Sequence, residues 1–170
     1  MQFQLDKCIL RPWQMSDANS LAMYANNRKI ADNLRDEFPY PYTLHDARTW
    51  LEFALGGNQN LLFAIEVDSK AVGGIGLIHK TDVYRKSAEI GYWLGEPYWY
   101  KGIMTESINF LVKHTFAHTE IIRIYAGVFE NNIASARVLT KCGFKLESVH
   151  HQAIIKNGKI MNELIYSNLK

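Results

Sequence analysis

The chain has 170 residues, of which 48% are hydrophobic and 21% are charged, and its formal net charge is only +2. This length and composition are typical of one soluble globular domain, which we expect to span residues 1–170. So small a net charge gives no argument for nucleic acid or an anionic membrane as the main partner. No apolar run is as long as a membrane span, and the N-terminus lacks the layout of a signal peptide. We therefore expect a cytoplasmic protein.

The two cysteines, Cys8 and Cys142, could in principle form a disulfide. Because the sequence shows no secretory signal, we expect both to be free thiols in a reducing compartment. No cluster of Cys and His has the spacing of a zinc site, and the adjacent His150 and His151 cannot share one helical face. We therefore expect no metal.

The first half of the chain predicts helices followed by strands. In chain order we predict a strand at 3–13, a helix starting at 16–17, a helix from 43 to 56, and strands at 61–67, 71–79 and 86–94. Thr43 with Asp46 three residues later is a variant of the capping box. The segment 31–42 contains Pro39 and Pro41, so we expect a loop or a broken helix there.

The second half predicts a helix at 102–118, a strand at 121–129, a helix at 133–142 and two strands at 144–155 and 159–169. Gly143 is typical of the residue that follows a helix, and Asn157-Gly158 is typical of a tight hairpin turn. The order of these elements indicates a mixed sheet covered by helices.

The segment Tyr100–Glu106 lies between a predicted strand and a predicted helix. The free N–H groups of a first helical turn, together with the helix dipole, attract anions. Gly102 would let the backbone approach a phosphate closely. Alone, this pattern indicates either an ordinary turn or a phosphate site.

A second segment, Asn132–Phe144, also follows a predicted strand and begins a helix. It contains the pattern Asn-x-x-Ser-x-x-Val-Leu-x-Lys-x-Gly-Phe. Together with Ala88–Trp93 and Tyr100–Glu106, it resembles the GNAT acyl-CoA N-acyltransferase superfamily, in particular its RimJ/RimL-like branch, which acetylates protein N-termini and other primary amines. The resemblance covers the chain from Leu10 to Ser167.

That resemblance implies an α/β fold of the mixed α+β kind. Its sheet is mostly antiparallel, has six or seven strands that splay apart in the middle, and is flanked by about four helices. It also implies that acetyl-CoA is the co-substrate. The strands ending at Leu94 and Phe129 would separate, and the pantetheine arm would lie between them.

The resemblance further implies particular residues for coenzyme A. The pyrophosphate would bind the backbone N–H groups of residues 101–105. A backbone N–H near Leu94 would polarise the thioester carbonyl, as an oxyanion hole does. The expected binding residues are Trp93, Leu94, Tyr100, Lys101, Gly102, Ile103, Met104, Thr105, Asn132 and Ser135.

The proton donor and the base are less directly implied. Many GNAT enzymes have a tyrosine donor where this chain has Leu139. Ser135, one helical turn earlier, is the matching donor in the RimJ/RimL-like branch, although a serine there could instead bond the backbone near Asn132. Some relatives have a glutamate base where this chain has Ile154. The base candidates that remain open are Glu89, His150, His151, Glu163 and water. Glu89 could instead pair at the surface with Arg85 or Lys86.

The acceptor pocket is expected between the segment 31–42 and the hairpin 156–159. The first of these is both acidic and aromatic, which suits a cationic amine or a peptide N-terminus. It could equally be a packed, solvated loop.

We therefore predict direct transfer of acetyl from acetyl-CoA to a primary amine, such as a protein N-terminus, in a ternary complex without a cysteine acyl-enzyme. A small amine is the alternative acceptor, and a coenzyme A sensor without turnover is the alternative function. The resemblance also allows a homodimer.

Overall fold

The computed structural model describes residues 1–57 and 60–170. Its strands are β1 (Phe3–Gln4), β2 (Ile9–Pro12), β3 (Leu61–Val67), β4 (Lys70–His79), β5 (Ser87–Leu94), β6 (Arg123–Phe129), β7 (Lys145–Lys156) and β8 (Lys159–Leu169). Its α-helices are α1 (Ala18–Ala25), α2 (Arg28–Ala31), α3 (Leu44–Leu55), α4 (Ile103–His118) and α5 (Ile133–Lys141). None of these helices is long and apolar enough to cross a bilayer.

Within the described residues the strands form one sheet in the order β1-β2-β3-β4-β5-β6-β8-β7. Every neighbouring pair is antiparallel except β5 and β6, which are parallel. The predicted mixed, mostly antiparallel α+β sheet is therefore confirmed, with eight strands in place of six or seven.

The additional strand arises because the single strand predicted at 3–13 is wrong. Leu5 N donates to Cys8 O at 2.9 Å, and this turn separates β1 from β2. The carboxylate of Glu106, at the start of α4, accepts the N–H groups of Asp6 and Lys7 at 3.0 and 3.1 Å. The turn is thus held by a partner about a hundred residues away, which no local pattern could reveal.

The predicted splay of the sheet is confirmed at β5 and β6. Their parallel pairing covers only residues 87–89 of β5 and 123–125 of β6. On its other edge, β5 stays paired with β4 as far as Leu94 opposite Gly73. The second half of β5 therefore presents one unpaired edge to the gap between the two strands.

Two cores lie on opposite faces of the sheet. Side chains of α4 and α5, including Ile108, Leu111 and Leu139, bury one face. Leu21 of α1 and Leu51 of α3 bury the other face. Full burial of side chains of this size contributes about 1.5–3 kcal/mol each. Successive residues of β5 point to alternate faces, so this strand takes part in both cores.

The helix cap and the hairpin turn that were predicted from neighbouring residues are confirmed. Thr43 and Asp46 form the predicted capping box, with Asp46 N donating to Thr43 Oγ1 at 3.2 Å and Thr43 N donating to Asp46 Oδ2 at 2.7 Å. Such a cap contributes about 1 kcal/mol. Asn157 and Gly158 have φ values of 51° and 74°, as a tight hairpin turn requires.

Candidate active site

The gap between β5 and β6 opens into a cleft of about 820 Å³, bounded by the starts of α4 and α5. Cavities of about 300–1,000 Å³ are typical of small-molecule sites. The charged residues that line it are Lys29, Arg137 and Lys141, all of them basic. The cleft therefore suits a ligand with several negative charges.

The start of α4 has the geometry of an anion site. Tyr100 and Gly102 have left-handed backbone conformations, with φ values of 61° and 78°. The first helical bond runs from Glu106 N to Gly102 O at 3.0 Å, so the N–H groups of residues 103–105 precede it. These donors lie at the positive end of a 16-residue helix, where phosphates bind readily.

Lys7 also reaches this turn, and sequence reasoning missed it. Its ammonium donates to Lys101 O at 3.0 Å and lies 2.8 Å from the position that a Cβ on Gly102 would occupy. The turn between β1 and β2 thus supplies a positive charge beside the unpaired N–H groups. Because Lys7 and Lys101 are 94 residues apart, no local signal could have found the contact.

The residues expected to bind coenzyme A come together around this cleft, with one exception. Those that line it are Trp93, Leu94, Tyr100, Gly102, Ile103, Met104, Thr105, Asn132 and Ser135. The exposed Lys101 is not among the lining residues, because its ammonium lies over the ring of Tyr98, 5.3 Å from the centroid.

The end of β5 is fixed by Trp99. Its indole N–H donates to Leu94 O at 2.6 Å, and Gly95 N donates to Val72 O at 2.8 Å. Both bonds hold the backbone at the mouth of the gap. The expected use of a backbone N–H near Leu94 stays a prediction.

Ser135 has two different bonds. Its backbone N–H donates to Asn132 Oδ1 at 3.1 Å, which caps α5. Its hydroxyl lies 2.7 Å from the hydroxyl of Tyr92 on β5. The side chain therefore bonds across the gap rather than to the backbone near Asn132. Burial raises the pKa of Tyr92, so its phenol keeps its proton at neutral pH.

Glu89 is ion-paired, and its partners differ from those predicted. Its carboxylate contacts Arg35 at 2.5 Å and Lys80 at 2.6 Å, not Arg85 or Lys86. Burial alone would raise the pKa of Glu89, but the two cations outweigh it and hold that pKa below its ordinary value. Glu89 lines neither this cleft nor the smaller cavity described below. These features do not favour Glu89 as a base.

Glu163 on β8 has a different environment. One carboxylate oxygen lies 2.3 Å from the position that a Cβ on Gly127 would occupy, and Gly127 lines the cleft. The glycine thus leaves room for the glutamate beside the gap, although Glu163, like Glu89, is not itself a lining residue of either cavity. Within the described residues, its carboxylate has no Lys or Arg partner within 4.0 Å, and its one ion-pair contact is His150 Nδ1 at 3.7 Å.

A second cavity, of about 180 Å³, lies on the other side of β5. We call it the aromatic pocket, because the aromatic residues Trp13, Phe38, Tyr42, Trp50 and Trp93 are among those that line it. Gly91, Tyr92 and Trp93 line both the pocket and the cleft.

The segment 31–42 and the hairpin 156–159 meet, as expected for the acceptor side. Lys156 Nζ contacts Asp36 at 2.7 Å, and Asn157 Nδ2 donates to Asp32 at 2.9 Å. Phe38 and Tyr42 of this segment line the aromatic pocket, whereas Tyr40 is exposed and the two carboxylates bond the hairpin. The use of this segment for the acceptor stays a prediction.

Both cysteines are free and buried. Burial raises the pKa of Cys142 to about 11, so the thiol is protonated at neutral pH. Its Sγ donates to Thr105 O at 3.4 Å. A thiol in this state is a poor nucleophile.

Comparison with known proteins agrees with this geometry. The family profile described as acetyltransferase (GNAT) domain matches residues 7–145. The probable N-acetyltransferase YjcK of Bacillus subtilis is 30% identical over 159 residues, covering 88% of this chain and 86% of YjcK. The ribosomal-protein-serine acetyltransferase of Escherichia coli is 28% identical over 108 residues, covering 64% of this chain and 60% of that enzyme.

A solved structure shows the same fold. The microcin C7 self-immunity acetyltransferase MccE, in complex with acetyl-CoA and AMP, is 28% identical, with a TM-score of 0.86. The match covers 98% of this chain and 94% of that one. The chain therefore belongs to the GNAT family of N-acetyltransferases.

Proposed function

We propose that this N-acetyltransferase moves the acetyl group of acetyl-CoA to a primary amine by direct attack in a ternary complex. The observation that carries the proposal is the continuous cleft between β5 and β6. It has unpaired N–H groups and basic residues at one end and the Tyr92–Ser135 pair within it. MccE, which shares this fold, has been solved with acetyl-CoA.

In this proposal the start of α4 holds the phosphates of acetyl-CoA. The N–H groups of residues 103–105 donate to the pyrophosphate, and Gly102 allows its close approach. Lys7 adds a positive charge at the same turn. Trp93, Leu94 and Asn132 border the path of the pantetheine arm.

Transfer forms a bond between the amine nitrogen and the thioester carbon and breaks the bond from that carbon to sulfur. A backbone N–H near Leu94 stabilises the developing oxyanion. The Ser135 hydroxyl gives its proton to the departing sulfur and recovers one from the Tyr92 phenol. Tyr92 then regains a proton from solvent or from the acceptor side.

We assign Glu163 as the base that removes the proton from the acceptor amine. It lies against Gly127 of the cleft, whereas Glu89 is held by Arg35 and Lys80. An α-amine loses a proton at about pH 8, so a carboxylate acting directly or through one water suffices.

The acceptor class proposed first is the N-terminus of a protein, since the Escherichia coli relative is a ribosomal-protein-serine acetyltransferase. The second is a small amine, such as a polyamine. We also propose a cytoplasmic location, and a homodimer stays a prediction that sedimentation would test.

The test measures release of the coenzyme A thiol from acetyl-CoA with peptides bearing free N-termini and with polyamines. Steady release with any primary amine, together with a mass increase of one acetyl group on that amine, supports the proposal. Tight acetyl-CoA binding without release for any acceptor would instead indicate a sensor.

A further inference from the structure

The aromatic pocket is apolar throughout its lining. None of its lining residues carries a charge, and three tryptophans, two tyrosines and a phenylalanine are among them. An apolar cavity of about 150 Å³ holds a benzene ring, so the 180 Å³ of this pocket accommodate a phenyl or a branched aliphatic group.

Glycines form the floor of this pocket. Gly76 of β4 pairs with Gly91 of β5, and Gly74 lies opposite Trp93. A Cβ on Gly74 would lie 3.0 Å from both Trp13 and Trp93. A Cβ on Gly91 would meet nothing within 4 Å. At Gly76 a Cβ would lie 2.6 Å from Leu62 Cδ2, so Gly74 and Gly76 make room for the protein's own side chains, whereas Gly91 leaves open space.

The pocket adjoins the place where acetyl transfer is proposed. Tyr92 packs in the core with α4 and α5 and bonds Ser135, while Trp93 packs in the opposite core. Gly91 lies on the same face as Trp93, since residues two apart in a strand share a face. A group bound in the pocket is therefore separated from the Tyr92–Ser135 pair only by the backbone of β5.

Two carboxylates near this side are already paired with cations, and none of the residues that line the pocket is acidic. Glu89 is bound by Arg35 and Lys80, and Asp36 is bound by Lys156. Asp32 accepts from Asn157. The pocket thus offers burial of apolar surface rather than charge attraction.

We infer that the acetyl acceptor carries a bulky apolar group, aromatic or branched aliphatic, beside its amine, and that the aromatic pocket binds this group. The inference rests on the proposed transferase function and narrows its acceptor class. Burial of the group would orient the amine toward the cleft, so part of the binding energy would appear as catalytic rate. Small N-terminal residues such as Ser and Ala would leave the pocket unfilled.

The experiment measures kcat/KM with a set of peptides that differ only in an N-terminal Ser, Ala, Leu, Met or Phe. Phenethylamine and spermidine extend the set to small amines. We expect Phe and Leu peptides to exceed the Ala peptide by at least about tenfold, since an apolar pocket discriminates by about 10- to 200-fold for each methylene. Phenethylamine should exceed spermidine.

The Gly91→Ala and Gly91→Val variants then narrow the pocket in two steps. The added carbons point into open space, and Gly91 does not need a positive φ, so both variants should fold. The ratio of kcat/KM for Phe to that for Ala should fall in each step.

Each outcome has one meaning. Equal or reversed kcat/KM across the peptides, a preference for spermidine, or an unchanged ratio in Gly91→Val would overturn the apolar acceptor while leaving the transferase function intact. Absence of transfer to every acceptor would refute the proposed function itself, and the inference that rests on it.

Discussion

The two sides of β5 are built in different ways. The cleft side uses a turn and two helix starts, where backbone N–H groups lie near the basic side chains Lys29, Arg137 and Lys141. The pocket side is assembled from Trp13, which follows β2, and from residues of α1, α3, β3, β4, β5 and the segment 31–42. Under the proposed function, the co-substrate would bind groups that are close together in the sequence, whereas the acceptor would bind side chains that the fold brings together from distant segments.

The largest expected effect is on the acceptor side. Glu163→Gln removes the proposed base, so kcat/KM should fall by about 10²- to 10⁴-fold. Acetyl-CoA affinity should stay unchanged. Glu120→Gln, at an exposed position outside the site, is the matched control. Retention of near-wild-type activity in Glu163→Gln would leave water as the base.

The hydroxyl groups of Tyr92 and Ser135, which bond across the gap, should act together in catalysis. Ser135→Ala and Tyr92→Phe should each lower kcat by about 100-fold, because either change interrupts proton delivery to sulfur. The double variant should be little worse than either single variant. A multiplicative loss in the double variant would show that the two hydroxyls act independently, and an unchanged rate in Ser135→Ala would remove it from the mechanism.

Glu89 should affect stability more than catalysis. Glu89→Gln removes two half-buried ion pairs, and we expect a loss of about 1–2 kcal/mol in the free energy of unfolding at pH 7. Its kcat should fall far less than that of Glu163→Gln. A larger fall in kcat than for Glu163→Gln would reverse the assignment of the base.

The pH dependence of that loss has a definite sign. The pKa of Glu89 in the folded state lies below its ordinary value of 4.5. Its stabilising contribution is therefore present above pH 4.5 and disappears as pH falls through the folded-state pKa. Denaturant unfolding at several pH values should show wild type and Glu89→Gln converging in acid.

The smallest expected effect is at Cys142. Because its buried thiol is protonated at neutral pH, Cys142→Ala should keep kcat within about twofold of wild type. Loss of turnover with intact acetyl-CoA binding would instead indicate an acyl-enzyme on this cysteine.

Particular residues show how far sequence reasoning reached. The anion site at Gly102 and the cap at Asn132 were predictable, since both depend on hydrogen-bonding groups within a few residues of each other. The contact of Lys7 with Lys101 was not, because it joins residues 94 apart. The Tyr92–Ser135 bond was not predictable either, because it joins residues 43 apart.

The composition of a segment does not show which of its side chains face a site. The segment 31–42 is acidic and aromatic, but of its residues only Phe38 and Tyr42 line the pocket. The carboxylates of Asp32 and Asp36 bond a hairpin about 120 residues away. Which half of a mixed segment faces a site depends on long-range partners that the segment itself does not specify.

The most direct test of the binding site is the affinity of Gly102→Val for acetyl-CoA, measured by titration calorimetry. The side chain would strain a left-handed position and collide with the Lys7 ammonium at the unpaired N–H groups. Gly57→Val is the matched control, because Gly57 has a similar φ of 74° but lies beyond α3 with open space around it. We predict at least a tenfold weaker affinity for Gly102→Val than for Gly57→Val, with similar thermal unfolding of both. Equal affinity in the two variants would contradict the placement of the phosphates at the start of α4.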